Sequence, residues 1–305
     1  MAPLANWATR RSNRLTRPVI EKVAGVHRDA DLPSFHGRTF AKRAKDAPRP
    51  LAADAPAKGR KVALYATCFV NYNNPAIGEA ALGVLARNGI AAEVVYPECC
   101  GMPQLESGDL PRVAAKARNV TAALAPYIDQ GYDIVALVPS CALMLKFEWP
   151  LLLPGDESIK RLSQATFDIS EYVVDIAKRE GLAPGLQPLD GGVALHLACH
   201  ARAQNMGPKA AEMLRLIPNV QVAVIERCSG HGGSWGVMLE NFEVALKVGR
   251  PVAQQALKLD RPHVTSECPL AAAHILQGME RLDGGSVPGE ALHPIQLFAR
   301  AYGLT

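Results

Sequence analysis

The chain has 305 residues, 49% of them hydrophobic, and a formal net charge of +4. That is room for two domains of ordinary size, each with its own core, and no uninterrupted apolar run approaches the ~18 residues of a membrane-spanning helix. The N-terminus has no secretory apolar segment. A reducing, cytoplasmic compartment is therefore expected, where grouped cysteines hold metal more often than they pair. The odd total of seven cysteines also argues against a full disulfide framework.

The charge is unevenly spread: residues 1–61 carry a net +9 and the remainder −5. Residues 13–23 form a short basic amphipathic pattern, and residues 44–59, rich in Ala, Pro and charge, read as a linker. Residues 1–60 are thus expected to be a basic arm and linker, of which residues 1–45 add little to folding and dock on a partner subunit or an anionic membrane face. The plain alternative is a solvated arm. No helix-turn-helix, zinc-finger or RNA-recognition signature occurs, so nucleic acid is not an expected partner.

Beyond the linker, short apolar runs recur at 62–67, 92–96, 133–138, 193–198, 220–225 and 263–265, with helix-like segments such as 76–88 and 110–130 between them. Strands alternating with helices imply parallel βαβ units. Each run is followed by cysteine. The first set is Cys68, Cys99, Cys100 and Cys141; the second is Cys199, Cys228 and Cys268. Matching members are 131, 129 and 127 residues apart, and Ser229 stands where a partner of Cys100 would fall. The predicted fold is α/β: two tandem duplicated parallel-sheet βαβ units, at 61–185 and 186–305, with cysteines at the strand C-terminal ends, where open α/β sheets place ligands.

Adjacent cysteines in an extended strand point to opposite faces, so Cys99 and Cys100 can share a site only if the backbone turns. Gly101 permits that turn and Pro103 sets the exit from it. Four thiolates suit an iron–sulfur cluster or zinc. In the second unit Cys228-Ser229-Gly230-His231 retains a glycine-rich loop, with Gly230 in the place of Gly101. Three thiolates with His231 or His200 would make a Cys₃His site for zinc or a cluster; three alone would leave one iron open. His196, within a strand, reads as a core or hydrogen-bonded histidine, and Trp149 and Trp235 as core. The glycines at 230, 232, 233 and 236 do not fit a dinucleotide fingerprint. Inert buried cysteine is the plain alternative, but seven thiols at matching strand ends of two repeats are a poor fit to chance.

The pattern Cys68…Cys99-Cys100-Gly101-Met102-Pro103…Gly108…Cys141, repeated as Cys199…Cys228-Ser229-Gly230…Cys268-Pro269, resembles the cysteine-rich CCG domain family. That family includes the heterodisulfide reductase B subunit, the glycolate oxidase iron–sulfur subunit and the C subunit of anaerobic glycerol-3-phosphate dehydrogenase. Residues 226–231 and 138–144 look most like the last type. The resemblance implies a non-catalytic, iron–sulfur electron-transfer subunit of a flavin- or quinone-linked dehydrogenase. It would carry a cluster, of 4Fe-4S type, at the first site and a second cluster or zinc at the other. The implied partners are a flavoprotein subunit or a separate ferredoxin-like donor, and a quinone or the cytoplasmic face of the inner membrane. Met144 and Ala271 stand where heterodisulfide reductase domains have a further cysteine, which weighs against the alternative of a thiol/disulfide reductase. A non-redox zinc scaffold is the other alternative. No cysteine precedes Cys68, so the ferredoxin-like region of such relatives is expected on a separate protein or on a lost part of the gene product.

Overall fold

Two parallel sheets carry the molecule. The computed structural model describes residues 1–47, 49–282 and 287–304. The first sheet contains β1 (Lys61–Tyr65), β2 (Ala91–Val95), β3 (Asp133–Ala136) and β4 (Thr166–Asp168), in the order β2-β1-β3-β4. Tyr65 lies opposite Val95 on one side and Ala136 on the other. The second contains β5 (Val193–His196), β6 (Val222–Ile225) and β7 (His263–Ser266), in the order β6-β5-β7. There His196 lies opposite Ile225 and Ser266. The duplicated α/β architecture is as predicted. Strand β4 has no counterpart among the predicted runs: three residues between two helices are too short to show a period.

Strands β1, β3 and β5 are largely buried, as in parallel sheets covered by helices; Val62, Leu64, Ile134 and Val135 are wholly inaccessible. Helix Leu110–Asp129 connects β2 to β3 and turns Val113, Ala117, Val120 and Leu124 into a core with Ile134 and Trp149. That spacing keeps one helical face apolar, and each such Val or Leu contributes roughly 1.5–3 kcal/mol when fully buried. Helices Phe242–Leu259 and Pro269–Leu282 do the same for the second sheet. Their Val252, Ala253, Ala256, Ile275 and Met279 pack with Ala194, Ile225 and Val264.

Each sheet belongs to a unit that is discontinuous in sequence. The first unit comprises Arg38–Pro188, His200–Pro218 and the chain from Ile295; the second comprises Met1–Gly37, Leu189–Cys199 and Asn219–Pro294. In the first unit, helix Lys209–Leu214 lies beside helix Ile169–Arg179, with Lys178 paired to Glu212 at 2.9 Å. In the same unit Gln187 N–H donates to the Ala301 carbonyl at 2.7 Å.

The expected arm at 1–60 is not a single appendage. Its C-terminal part belongs to the first unit: Phe40 is fully buried and its ring lies where a Cβ on Gly78 would sit. Residues up to Gly37 belong to the second unit, and the reason is a buried cation. Arg17 is 2% exposed and donates to the carbonyls of Arg28 (2.9 Å), Thr9 (3.2 Å), His27 (2.7 Å) and Ala30 (2.7 Å). It thereby ties helix Ala2–Thr9, helix Arg17–Ala24 and residues 27–30 together. Those last residues are stitched to the second sheet's cover. Val26 bridges Met238, the His27 ring stacks on Phe242 at 4.2 Å, and Ala30 is buried against Phe242 and Leu246.

Charge counting reads Arg17 as surface, whereas its guanidinium is satisfied internally by carbonyl oxygens. Arg17→Ala should therefore leave several buried carbonyls without donors and cost about 3 kcal/mol. A chain starting at residue 38 should destabilise the second sheet. Chemical denaturation of the full chain and both variants checks this; unchanged midpoints would restore the dispensable arm.

Candidate metal centre

All seven cysteines are unpaired by disulfide and stand just beyond strand ends. Cys68 opens helix Cys68–Tyr72 three residues after β1. Thr67 before it is bent to φ 53° while its hydroxyl caps Val70 N–H. Cys99 and Cys100 follow β2, and Gly101, at φ 88°, makes the predicted left-handed turn into helix Met102–Glu106, with Pro103 in its first turn. Cys141 lies in helix Pro139–Leu143 after β3. Three strand ends thus bring four sulfurs together. Cys68 Sγ and Cys99 Sγ are 3.9 Å apart, Cys100 Sγ and Cys141 Sγ 3.3 Å, and Cys99 also hydrogen-bonds Cys100. Cys100 and Cys141 are buried; Cys68 and Cys99 are half-buried.

The neighbours of this cluster prepare it for charge. The Cys99 thiol is held well below its ordinary range by hydrogen bonding with Cys100 and Cys68, aided by the Gly101 backbone and Lys116. Contact with the neighbouring thiols, together with burial, pushes Cys68 and Cys100 up. Lys116 Nζ is fixed by Glu98 at 2.6 Å, and Asn119 holds the other oxygen of that carboxylate at 3.0 Å. Trp149, fully buried as expected, donates Nε1–H to the Cys100 carbonyl at 3.2 Å. The sequence alone does not single out Lys116 or Trp149 for the site, because each acts through a fold contact remote along the chain.

The second set is more open. Cys199 and Cys228 are exposed and Cys268 half-buried. Burial raises the Cys268 thiol to about 11, and Cys199 adds to the rise. Cys228 Sγ accepts from Gly230 N–H at 3.4 Å. The loop presses on helix Phe242–Leu259: a Cβ on Gly230 would stand 2.1 Å from the Ala245 carbonyl oxygen, and one on Gly249 would stand 2.2 Å from that of Ser229. His231 has neither ring nitrogen hydrogen-bonded among the described residues and faces His274, ring centres 5.9 Å apart. Burial, with His274 adding, lowers it to about 4, so it is neutral at physiological pH. Trp235, expected in the core, is 45% exposed and rests against Gly232. His200 belongs to the first unit, and burial lowers its imidazole below the ordinary histidine range. Among the described residues, no three His, Cys, Asp or Glu side chains surround a single point as ligands of one ion. In the first unit the donor set nevertheless fits a soft metal or cluster: four sulfurs gathered from three strand ends, two of them buried.

Parallel strands that gather thiols at one edge, twice in one chain, define a class. A profile of the cysteine-rich (CCG) domain matches residues 62–146 and 193–275, and the chain belongs to that family. It is similar to the C subunit of anaerobic glycerol-3-phosphate dehydrogenase from Escherichia coli, 27% identical over 98% of this chain and 72% of that protein. It is also similar to the B subunit of the fumarate reductase (CoM/CoB) from Methanothermobacter marburgensis, 27% identical over 80% of this chain and 47% of that protein. Lactate utilization protein A of Geobacillus kaustophilus is 31% identical over 59% of this chain and 75% of its own length. In fold the chain resembles a hypothetical protein from Helicobacter pylori, with a TM-score of 0.52 at 12% identity, over 87% of this chain and 53% of that one.

The two glycine turns differ in what surrounds them. An alanine at Gly101 would meet nothing closer than Lys116 Cδ at 3.4 Å, so Gly101→Ala should cost only the ~1–2 kcal/mol of a left-handed side chain. Gly230→Ala adds a backbone collision and should cost more than about 3 kcal/mol, displacing the Cys228 loop. Equal denaturation midpoints for the two variants would contradict this reading.

Proposed function

We propose that the chain is an iron–sulfur electron-transfer subunit of a flavin- or quinone-linked dehydrogenase complex of the glycerol-3-phosphate dehydrogenase type. The observation that carries the reading is the four-sulfur cluster beyond β1, β2 and β3. It lies in a chain whose relatives bear the names of dehydrogenase and reductase subunits. Cys68, Cys99, Cys100 and Cys141 would hold the cluster, of 4Fe-4S type. Such a cluster supplies reversible acceptance of one electron. Gly101 and Pro103 shape the loop, Lys116 offsets thiolate charge, and Trp149 anchors the Cys100 backbone. Burial and hydrogen bonds of this kind set a cluster's potential. The donor would be a flavoprotein subunit or a separate ferredoxin-like protein, the acceptor a quinone.

At the second site Cys199, Cys228 and Cys268 would hold another cluster or zinc, with neutral His231 as the candidate fourth ligand and Gly230 shaping the loop. Three thiolates and an imidazole form a set that zinc accepts. Cys100→Ser should remove most iron and acid-labile sulfide of the first site, with its visible absorbance, while zinc or iron at the second persists. Anaerobic metal and sulfide analysis tests this; unchanged iron in the variant, or no metal in the native protein, would sink the assignment.

No helix of the described residues is long and apolar enough to cross a membrane. Attachment to the cytoplasmic face of a membrane would fall to the head. Leu15, Val19 and Val23 form an exposed i, i+4, i+8 stripe beside exposed Arg14 and Lys22, with Leu4, Trp7 and Arg10 also exposed. An apolar stripe flanked by basic residues suits an anionic lipid surface, and salt weakens the charge contribution. Val19→Asp should abolish co-sedimentation with anionic phospholipid vesicles at low salt without altering the denaturation midpoint. Vesicle binding equal to that of the native protein would exclude the head as the contact.

A further inference from the structure

The spacing of 131 residues that relates Cys68 to Cys199 also relates Tyr65 to His196. Both close the first strand of their sheet, three residues before the cysteine. The two side chains have different chemistry and make the same hydrogen bond. The Tyr65 hydroxyl donates to the carbonyl of Glu98, the residue before Cys99, at 2.6 Å. His196 Nε2 meets the carbonyl of Arg227, the residue before Cys228, at 2.9 Å. A carbonyl only accepts, so Nε2 carries the hydrogen, and Nδ1 is then the acceptor for the Ser266 hydroxyl at 2.9 Å. Ser266 Oγ in turn accepts the Cys268 N–H at 3.3 Å. Three residues separate β2 from Cys99 and two separate β6 from Cys228, so the longer phenol serves the longer loop.

We propose that Tyr65 and His196 are equivalent positioning residues, each reaching from the central strand of its sheet to the carbonyl ahead of the loop cysteine and so fixing where that sulfur stands. His196 does more than Tyr65. Through Ser266 it also steadies Cys268, so one imidazole orders two of the three cysteines in the set that has serine in place of a fourth. The pairing rests on protein hydrogen bonds alone and exists without metal; its value to a metal rests on the proposed function above. Neither residue is offered as a ligand.

The test is site-resolved amide exchange on the full chain, prepared without metal, together with metal release to a chelator from protein prepared anaerobically with iron. Tyr65→Phe removes one hydroxyl and keeps the ring. It should speed exchange at Cys99 to Gly101 by roughly tenfold, the size of one lost hydrogen bond, and leave Cys228 to Gly230 unchanged. His196→Phe should do the reverse and loosen Cys268 as well. Ser266→Ala, milder should His196→Phe fail to fold, should loosen Cys268 most. In metal-bearing protein each variant should release metal about tenfold faster from its own site only. Unchanged exchange at the matching loop, or equal loosening of both loops, overturns the proposal. Loop-specific loosening in a protein that binds no metal would uphold the positioning role and overturn the proposed function.

Discussion

Everything at the cysteine sites depends on the first strand of each repeat lying between the other two. In a parallel sheet all strands end at the same edge. With β1 between β2 and β3, the chain leaves in opposite directions from neighbouring strand ends, which opens a crevice there. Residues distant in sequence meet in it at no cost in backbone strain beyond a tight turn or two. The order β6-β5-β7 repeats the arrangement.

The repeats use the crevice differently. The first gathers four sulfurs with two of them buried, and its turn at Gly101 leaves room for a Cβ in ordinary contact with its neighbours. The second has two exposed thiols, and its turn at Gly230 is wedged against a helix. Loss of a thiolate at Ser229 thus goes with tighter backbone packing and with the two-sided hydrogen bonding of His196. Backbone packing and hydrogen bonds within the chain hold this loop where the first repeat has thiol contacts.

What is legible in the sequence follows from local rules. Apolar runs ending in cysteine mark β1–β3 and β5–β7, and the cysteine spacing exposes the duplication, because both depend on residues close in the chain. The turn at Gly101 is legible for the same reason. Arg17 is not: one-dimensional charge counts cannot tell a solvated guanidinium from one satisfied by four carbonyls. Trp235 departs from its expected core position because an aromatic beside four glycines has little to pack into. Lys116 and Trp149 reach the site only through the fold. The Tyr65 and His196 pair is within reach of the sequence, since it shares the cysteine offset, but a phenol and an imidazole look unrelated until their common acceptor position is seen.

The discontinuity of the two units has an evolutionary consequence. The duplication visible in the cysteines suggests modules that recombination could exchange at the junction between repeats. Yet helix Lys209–Leu214, encoded within the second repeat, is buried in the unit of the first sheet, as are Ile295, Leu297 and Phe298 near the C-terminus. The N-terminal head, encoded before either repeat, belongs to the unit of the second. A crossover at the repeat boundary would therefore deprive both products of core. The ancestral symmetry survives in the sheets and sulfurs, while the exchange of outlying segments has made the halves a single heritable piece.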